Sequence, residues 1–430
     1  MIQRPRGTRD ILPPESRLWH AVEATAHRVF QAFGAEEIRT PTFEHTELFV
    51  RSVGETTDIV HKEMYTFADR KGRSLTLRPE GTAGVARAFL ENALQDRPLP
   101  LRLYYMGPMF RYERMQKGRF REFRQIGLEI LGAASPLADA ECLLVLFEFF
   151  QALGFQDLVV HLNNLGDPPD RAALGHCLRE FFTPHAAQLC SDCQRRLEEN
   201  PLRVLDCKVP SCQELAHRAP TVEAVAGEAS KAHVAEVEEL LRRLDIPYQR
   251  NPRLVRGLDY YVRTVFEVVA PQWGPSTVIC GGGRYDRLLA DLGGPDLPGV
   301  GFAVGEDRLV EILPESFRNA VFGEARLQLV PLGGASAAAL ELARKLVRQG
   351  VPVDVEVGGR SLKAALKRAD KLRRRWVAIL GEEELAQRVV SLRDLTEGAQ
   401  RLVPWEQLAQ ALAGGQNREP ARHQGTGSQH

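Results

Sequence analysis

The 430-residue sequence has no excess of either charge: 56 lysines and arginines balance 56 aspartates and glutamates. Bulk charge therefore does not mark a nucleic-acid binder, and any such surface has to come from local clustering. Long apolar runs are missing too. The most apolar window, "CLLVLFEFFQALGF", is broken by Glu148 and is too short to span a bilayer. The opening "MIQRPRGTRD" lacks the apolar stretch of a signal peptide. No repeat of solenoid period is visible. The seven cysteines are an odd set without a regular disulfide framework. That fits reduced thiols in a cytoplasmic protein with no membrane association. What remains is an ordinary globular composition, 44% hydrophobic and 26% charged. The length is large for one core and implies two or three domains.

Residues 1–165 alternate helical and strand patterns. "SRLWHAVEATAHRVFQAFG" reads as an amphipathic helix closed by Gly34. "MYTFADRKGRSLTLRPE" reads as a hairpin. "YYMGPMFRYE" and "EFRQIGLEILG" read as two more strands, joined by the basic loop "RMQKGRFR". Hairpins in sequence imply a largely antiparallel sheet with helices packed on one face. Residues 166–250 are mostly helical. Residues 251–320 return to strands, and residues 325–413 alternate strand and helix, which implies a small parallel or mixed α/β domain. The polar tail, 414–430, is expected to be disordered.

Several stretches carry more polar chemistry than packing needs. In "RGLDYYVRTVFEV", the tail "VRTVFEV" alternates as a half-buried strand does. The head places Arg256, Asp259, Tyr260 and Tyr261 on the same predicted strand, so the two tyrosines are expected on opposite faces. In "EFRQIGLEILG", Arg124, Ile126, Leu128 and Ile130 share one face. Phe123, Gln125, Gly127 and Glu129 share the other: an aromatic plate, an amide, a gap and a carboxylate. Arg111 and Glu113 share a face of the preceding strand. Taken alone this is a sheet with one wet side. The loop cations Arg114, Lys117, Arg119 and Arg121, around Gly118, suit phosphate oxygens and suggest a triphosphate site. In "TLRPEGTAGVAR", Thr82 is a natural helix cap, and Glu80 at a strand end could bind an ammonium group. "CGGGRYDRLL" ends a predicted strand in three glycines, which let a backbone or flat ring come close.

Together these stretches resemble the class II aminoacyl-tRNA synthetases, and specifically the histidyl-tRNA synthetase family. "RGTRDILP" is similar to that family's N-terminal segment, "EIRTPTFEHTELF" to its dimer-forming motif 1, "FRYERMQKGRFREFRQIGLEILG" to motif 2 and "PGVGFAVGEDRL" to motif 3. "RGLDYYVRTVFE" resembles the histidine-specific signature. The likeness runs from about residue 2 to residue 413. Met115 departs from it, standing where the family often has proline. The resemblance implies an α+β catalytic domain of class II synthetase fold, with a largely antiparallel sheet flanked by helices. It also implies a helical insertion and a C-terminal α/β anticodon-binding domain. The catalytic domain would be split between 1–165 and 251–320 by the insertion.

The implied reaction joins L-histidine to ATP, with Mg²⁺, and passes the histidyl group to its tRNA, in a homodimer. The implied histidine-binding residues are Glu80, Thr82, Arg111, Gln125, Glu129, Arg256, Tyr260 and Tyr261. Glu129 and Tyr261 would take opposite sides of the imidazole, and Arg111 and Arg256 would be catalytic, gripping the α-phosphate and the carboxylate. Arg111, Glu113, Arg119, Phe123 and Arg308 would bind ATP, and Arg114, Gln116 and Lys117 would contact tRNA. "LKRADKLRRR", with Lys367, Arg368 and Lys371, is either a solvated face or a set of phosphate contacts.

Cys190, Cys193, Cys207 and Cys212 could form a tetrahedral zinc knot. The second spacing is loose and the family does not depend on zinc, so the expectation is no zinc and free thiols. A regulatory subunit of ATP phosphoribosyltransferase is the alternative from another class. Such proteins generally lack the anticodon domain and erode the histidine signature, and this chain has both.

Overall fold

The computed structural model describes residues 2–55, 57–113, 118–274, 277–322, 326–372 and 374–414. The chain divides into two compact units, Met1–Val321 and Phe322–His430. The tail 415–430 lies outside the described residues.

In chain order, the strands of the first unit are β1 (Glu36–Glu37), β2 (Phe43–His45), β3 (Tyr65–Ala68), β4 (Ser74–Leu77), β5 (Leu101–Phe110), β6 (Glu122–Leu131), β7 (Val159–Asn164), β8 (Tyr248–Arg250), β9 (Val262–Val269), β10 (Val278–Arg284) and β11 (Gly299–Gly305). Eight of them form one sheet in the order β1-β5-β6-β11-β10-β9-β7-β8. Only the edge pairs β1·β5 and β7·β8 are parallel, so the sheet is largely antiparallel as expected. A three-stranded sheet, β2-β4-β3, stands beside it.

The helices that shape the first unit include α1 (Ser16–Ala32), α2 (Thr46–Val53), α3 (Thr82–Glu91), α4 (Pro136–Ala152), α5 (Pro168–Phe182), α6 (Ser191–Glu199), α7 (Pro210–Arg218), α8 (Glu228–Arg243), α9 (Leu288–Asp291) and α10 (Glu306–Glu311). One face of the large sheet, including Tyr104, Leu128, Phe302 and Phe266, packs under α1, α4 and α8 to form the main core. Helix α4 is apolar on nearly every side because it is enclosed there. It starts with Pro136 in its first turn and with Ser135, whose Oγ accepts from Leu137 N at 3.1 Å. A buried Arg284–Asp139 ion pair, with His233 on the same carboxylate, ties the sheet to α4 and α8. Helices α5 to α7 gather a smaller core of their own, with Leu174, Phe182 and Leu197 around Cys193, Cys207 and Cys212. No described helix is long and apolar enough to cross a membrane.

The second unit holds one sheet of β12 (Leu327–Pro331), β13 (Val353–Val355), β14 (Trp376–Leu380), β15 (Val389–Asp394) and β16 (Gln400–Pro404), in the order β13-β12-β14-β15-β16. The first three are parallel and the last two antiparallel, which makes it a mixed α/β domain. The β15–β16 hairpin is a structural addition to the predicted alternation.

Candidate active site

The other face of the large sheet, packed in part by α3 and α9, holds the site, and strand register explains its shape. One cross-strand row reads Tyr105, Gly127, Ala303, Gly281, Glu267. The next reads Leu103, Glu129, Gly301, Gly283, Val265. Small residues at the centre of both rows leave a trough. The three glycines of "CGGG" therefore lie inside β10, not at its end as expected.

Larger groups lean over the gaps. A methyl group on Gly301 would stand 1.8 Å from Glu129 Oε2, and one on Gly283 2.9 Å from the Tyr261 ring. Gly283 and Gly301 are paired, so Glu129 and Tyr261 overlie adjacent strands about 5 Å apart. Glu129 is 1% exposed. Its Oε1 accepts from Thr82 Oγ1 at 2.7 Å and from Tyr105 Oη at 3.5 Å, and its Oε2 accepts from Tyr285 Oη. Burial pushes its pKa up to about 8, against those hydrogen bonds and helped by the neighbouring Glu80 charge.

Thr82 is not the helix cap. Glu80 does that work: its two oxygens accept from Thr82 N at 2.7 Å and Ala83 N at 2.8 Å. The Glu80 pKa is raised by burial. Gln125 Oε1 is buried without a hydrogen-bond partner among the described residues.

Arg256 to Tyr261 are not part of a strand. β9 begins at Val262, and at Arg263 (φ +46°) the ladder with β10 shifts register. That irregularity turns the preceding residues off the sheet. Their carbonyls are held from α5 and the segment after α6. Arg203 Nη1 donates to Arg256 O at 2.9 Å, and Arg171 Nη1 donates to Asp259 O and Tyr261 O, each at 2.8 Å. Tyr260 and Tyr261 consequently touch, centroids 4.6 Å apart, instead of facing opposite ways.

Beside the trough lies a cleft of about 240 Å³, lined in part by Arg111, Glu113, Arg119, Phe123, Arg256 and Arg308. The Arg256 guanidinium crosses above Gly281, where a methyl group would stand 2.3 Å from Nη1. Its Nη1 donates to Glu267 Oε1 at 2.6 Å, and its Nε is buried without a partner among the described residues. Arg111 Nε donates to Pro79 O at 2.8 Å, and its guanidinium sits 5.5 Å from the Phe123 ring. Arg119 pairs with Glu113 at 3.4 Å. Burial, and then the neighbouring Arg119 charge, hold the Arg308 pKa below its usual value. Two crowded cations of this kind gain from an anion between them.

The family model described as Histidyl-tRNA synthetase matches residues 7–169 and 171–309, and that described as Anticodon binding domain matches 327–414. The Histidine--tRNA ligase of Desulfitobacterium hafniense (strain DSM 10664 / DCB-2) is 48% identical over 414 residues, covering 96% of this chain and 97% of that one. That of Bacillus cytotoxicus is 46% identical over 417 residues, covering 96% and 99%. The crystal structure of apo S. aureus histidyl-tRNA synthetase superimposes with a TM-score of 0.77 at 36% identity, covering 96% and 99%. The chain belongs to the histidyl-tRNA synthetase family.

Of the residues that the sequence pointed to, Glu80, Thr82, Gln125, Glu129, Tyr260, Tyr261 and Arg256 surround or adjoin the trough, and the predicted ATP residues line the cleft. Tyr105 and Tyr285, the phenols on Glu129, were missed. Counting the β5–β6 hairpin outward places Tyr105 opposite Gly127. No local signal brings Tyr285 there. Arg114, Gln116 and Lys117 lie outside the described residues, as do Met115 and Arg373. On the helix Leu362–Lys371, the exposed Lys363, Lys367 and Lys371 recur every fourth position along one side. Arg368 is half-buried and turned inward, 3.6 Å from Asp354 and 3.7 Å from Glu356.

Proposed function

We propose that the trough binds L-histidine and the cleft binds ATP, so that the substrate carboxylate meets the α-phosphate between Arg256 and Arg111. The chain is an ATP-dependent histidine–tRNA ligase. Its first step forms a bond from a carboxylate oxygen to the α-phosphorus and breaks the bond to the leaving pyrophosphate. The histidyl group then passes to the 3′ end of the tRNA. The observation that carries this reading is the register that sets Glu129 and Tyr261 over neighbouring glycines, with Arg256 one row away over Gly281.

Each role follows from chemistry. Glu129 and Tyr261 read the two ring nitrogens, and an analogue lacking either leaves a buried polar group unpaired, often a factor of about 10⁴. Tyr260 lines the same pocket. Glu80 retains lone pairs for the α-ammonium group, whose charge would offset the burial of its carboxylate. Gln125 Oε1 and Thr82 supply further contacts there.

Arg256 and Arg111 bring two anions together and stabilise charge on the equatorial oxygens. Arg119 and Arg308 take the outer phosphates, and Phe123 stacks on adenine beside Arg111. The nucleophile is already a carboxylate, so this step needs no general base.

Mg²⁺ would neutralise phosphate charge. Glu113 on the cleft wall and the nearby Glu63 suit an oxygen-seeking cation. Burial, with Glu113 and Asp58 adding to it, raises the Glu63 pKa, a strain that a cation relieves. Exposed lysines of the helix Leu362–Lys371 would contact tRNA phosphates. We place the reaction in the cytoplasm and assign a homodimer built on motif 1.

The test is amino-acid-dependent exchange of pyrophosphate into ATP, measured with all twenty amino acids. Histidine alone should stimulate it. Exchange driven by proline or threonine, or none at all, would reject the reading.

A further inference from the structure

We propose that Cys190, Cys193, Cys207 and Cys212 hold a Zn²⁺ ion as a tetrathiolate, and that this ion fixes the segment on which the Arg256 loop rests. The four sulfurs all lie within 4.8 Å of one another. Cys190 and Cys207 Sγ are 3.8 Å apart. Zinc–sulfur bonds of about 2.3 Å in a tetrahedron set neighbouring sulfurs about 3.8 Å apart. A disulfide needs about 2.05 Å. An iron–sulfur cluster holds its thiolates around a cage of several atoms and needs them farther apart. Among the described residues, no other group of three or more metal-capable side chains is gathered this way.

Helix N-termini and backbone amides face the cluster. Cys190 is the N-cap residue of α6, and Cys212 sits in the first turn of α7, so two helix N-termini point at the cluster. Cys190 N donates to Cys212 Sγ at 3.2 Å, and Val209 N donates to Cys207 Sγ at 3.5 Å. Cys193, Cys207 and Cys212 are buried, so the ion would be shielded from water. The loose spacing of the second pair is closed by folding: the turn before α7 and its first turn bring Cys207 and Cys212 together. On binding, each thiol gives up its proton and its sulfur pair bonds the metal, with no change of oxidation state.

The ion would join the start of α6 to the start of α7. Further along α6, Arg196 pairs with Asp58, and at its C-terminal end Asn200 Nδ2 donates to Asp259 Oδ1 at 3.0 Å. Arg203 holds the Arg256 carbonyl. The small core of α5 to α7 would gain from a metal the rigidity that its size cannot supply.

The full chain, prepared without a metal-affinity tag under reducing conditions, should carry close to one zinc per chain by elemental analysis. Replacing zinc with Co²⁺ should give the intense visible bands and near-ultraviolet charge transfer of a tetrahedral tetrathiolate. Both signals should vanish in Cys190→Ser/Cys207→Ser and persist in Cys177→Ser, whose thiol lies outside the cluster. Removing the metal should raise KM for histidine about tenfold and lower Tm.

Wild-type protein that binds neither zinc nor cobalt, a spectrum with fewer than four thiolates, or metal retained by the double variant would overturn the proposal. Iron at the same stoichiometry would overturn the choice of ion. Should the double variant fail to fold, the wild-type cobalt spectrum decides.

Discussion

A carboxyl group as enclosed as that of Glu129 makes the fold sensitive to pH. Its folded pKa stands near 8 against an ordinary value of 4.5. Over that window the unfolded chain has shed a proton that the folded chain keeps. The stability present at low pH is therefore lost as pH rises, by up to about 1.4 kcal/mol per unit. Glu129→Gln carries no such cost. Calorimetry should find it melting several degrees above the parent at about pH 8.5 and level with it near pH 4. Its KM for histidine should rise at least about tenfold. Equal melting at both pH values would mean that the carboxyl ionises freely.

Gly281→Ala tests the other end of the ligand. Its methyl group would displace the tip of the flexible Arg256 side chain, so the fold should survive with Tm shifted by a few degrees at most. The misplaced guanidinium should lower kcat/KM about 10²-fold in the exchange assay. The period-two face of Phe123, Gln125, Gly127 and Glu129 was readable directly from the chain, because alternation needs no tertiary information. Tyr285 was not, because it reaches Glu129 from just past the end of β10, 156 positions away.

At the level of elements, the α1 helix closed by Gly34 (φ +75°) and the β5–β6 hairpin follow local rules and were legible. The head of "RGLDYYVRTVFEV" misled for a physical reason. Its residue types suit a strand, but distant arginines hold its carbonyls and a break at Arg263 turns it away. Sequence pattern is equally silent on the clamp between sheet and helices. Arg284 and Asp139 are each fully buried, with side chains 0% exposed. Burial opposes the Asp139 charge, but His233 and Arg284 hold its pKa below the ordinary value. Asp139→Ala would leave Arg284 with Asp286, 3.0 Å away, as its remaining carboxylate partner and should cost about 3 kcal/mol in urea unfolding. A loss under about 1 kcal/mol would show that Asp286 and the neighbouring carbonyls satisfy Arg284 without Asp139.

At the scale of the molecule, the mixed sheet of the second unit agrees with the alternating pattern of 325–413. How strands from distant hairpins order themselves in the first unit could not be read, since non-local pairing leaves no local mark. The small sheet carries an exposed aromatic pair, Phe43 and Phe67, with ring centroids 6.4 Å apart. Phe43 belongs to the motif-1 segment and Phe67 to β3 of the same small sheet, and an exposed aromatic pair there suits cover by a partner subunit. If the homodimer proposed above is built on this face, Phe43→Asp should shift it to monomer in sedimentation velocity, and an unchanged dimer would place the interface elsewhere.

The way the Arg256–Tyr261 loop is fastened has one more consequence. What Arg171 and Arg203 hold of this loop are main-chain oxygens, which every amino acid possesses. Tyr260 and Tyr261 can thus be exchanged without undoing the fastening. Anyone wishing to redirect the enzyme toward a non-natural heterocycle would do best to randomise those two positions first and leave both arginines alone.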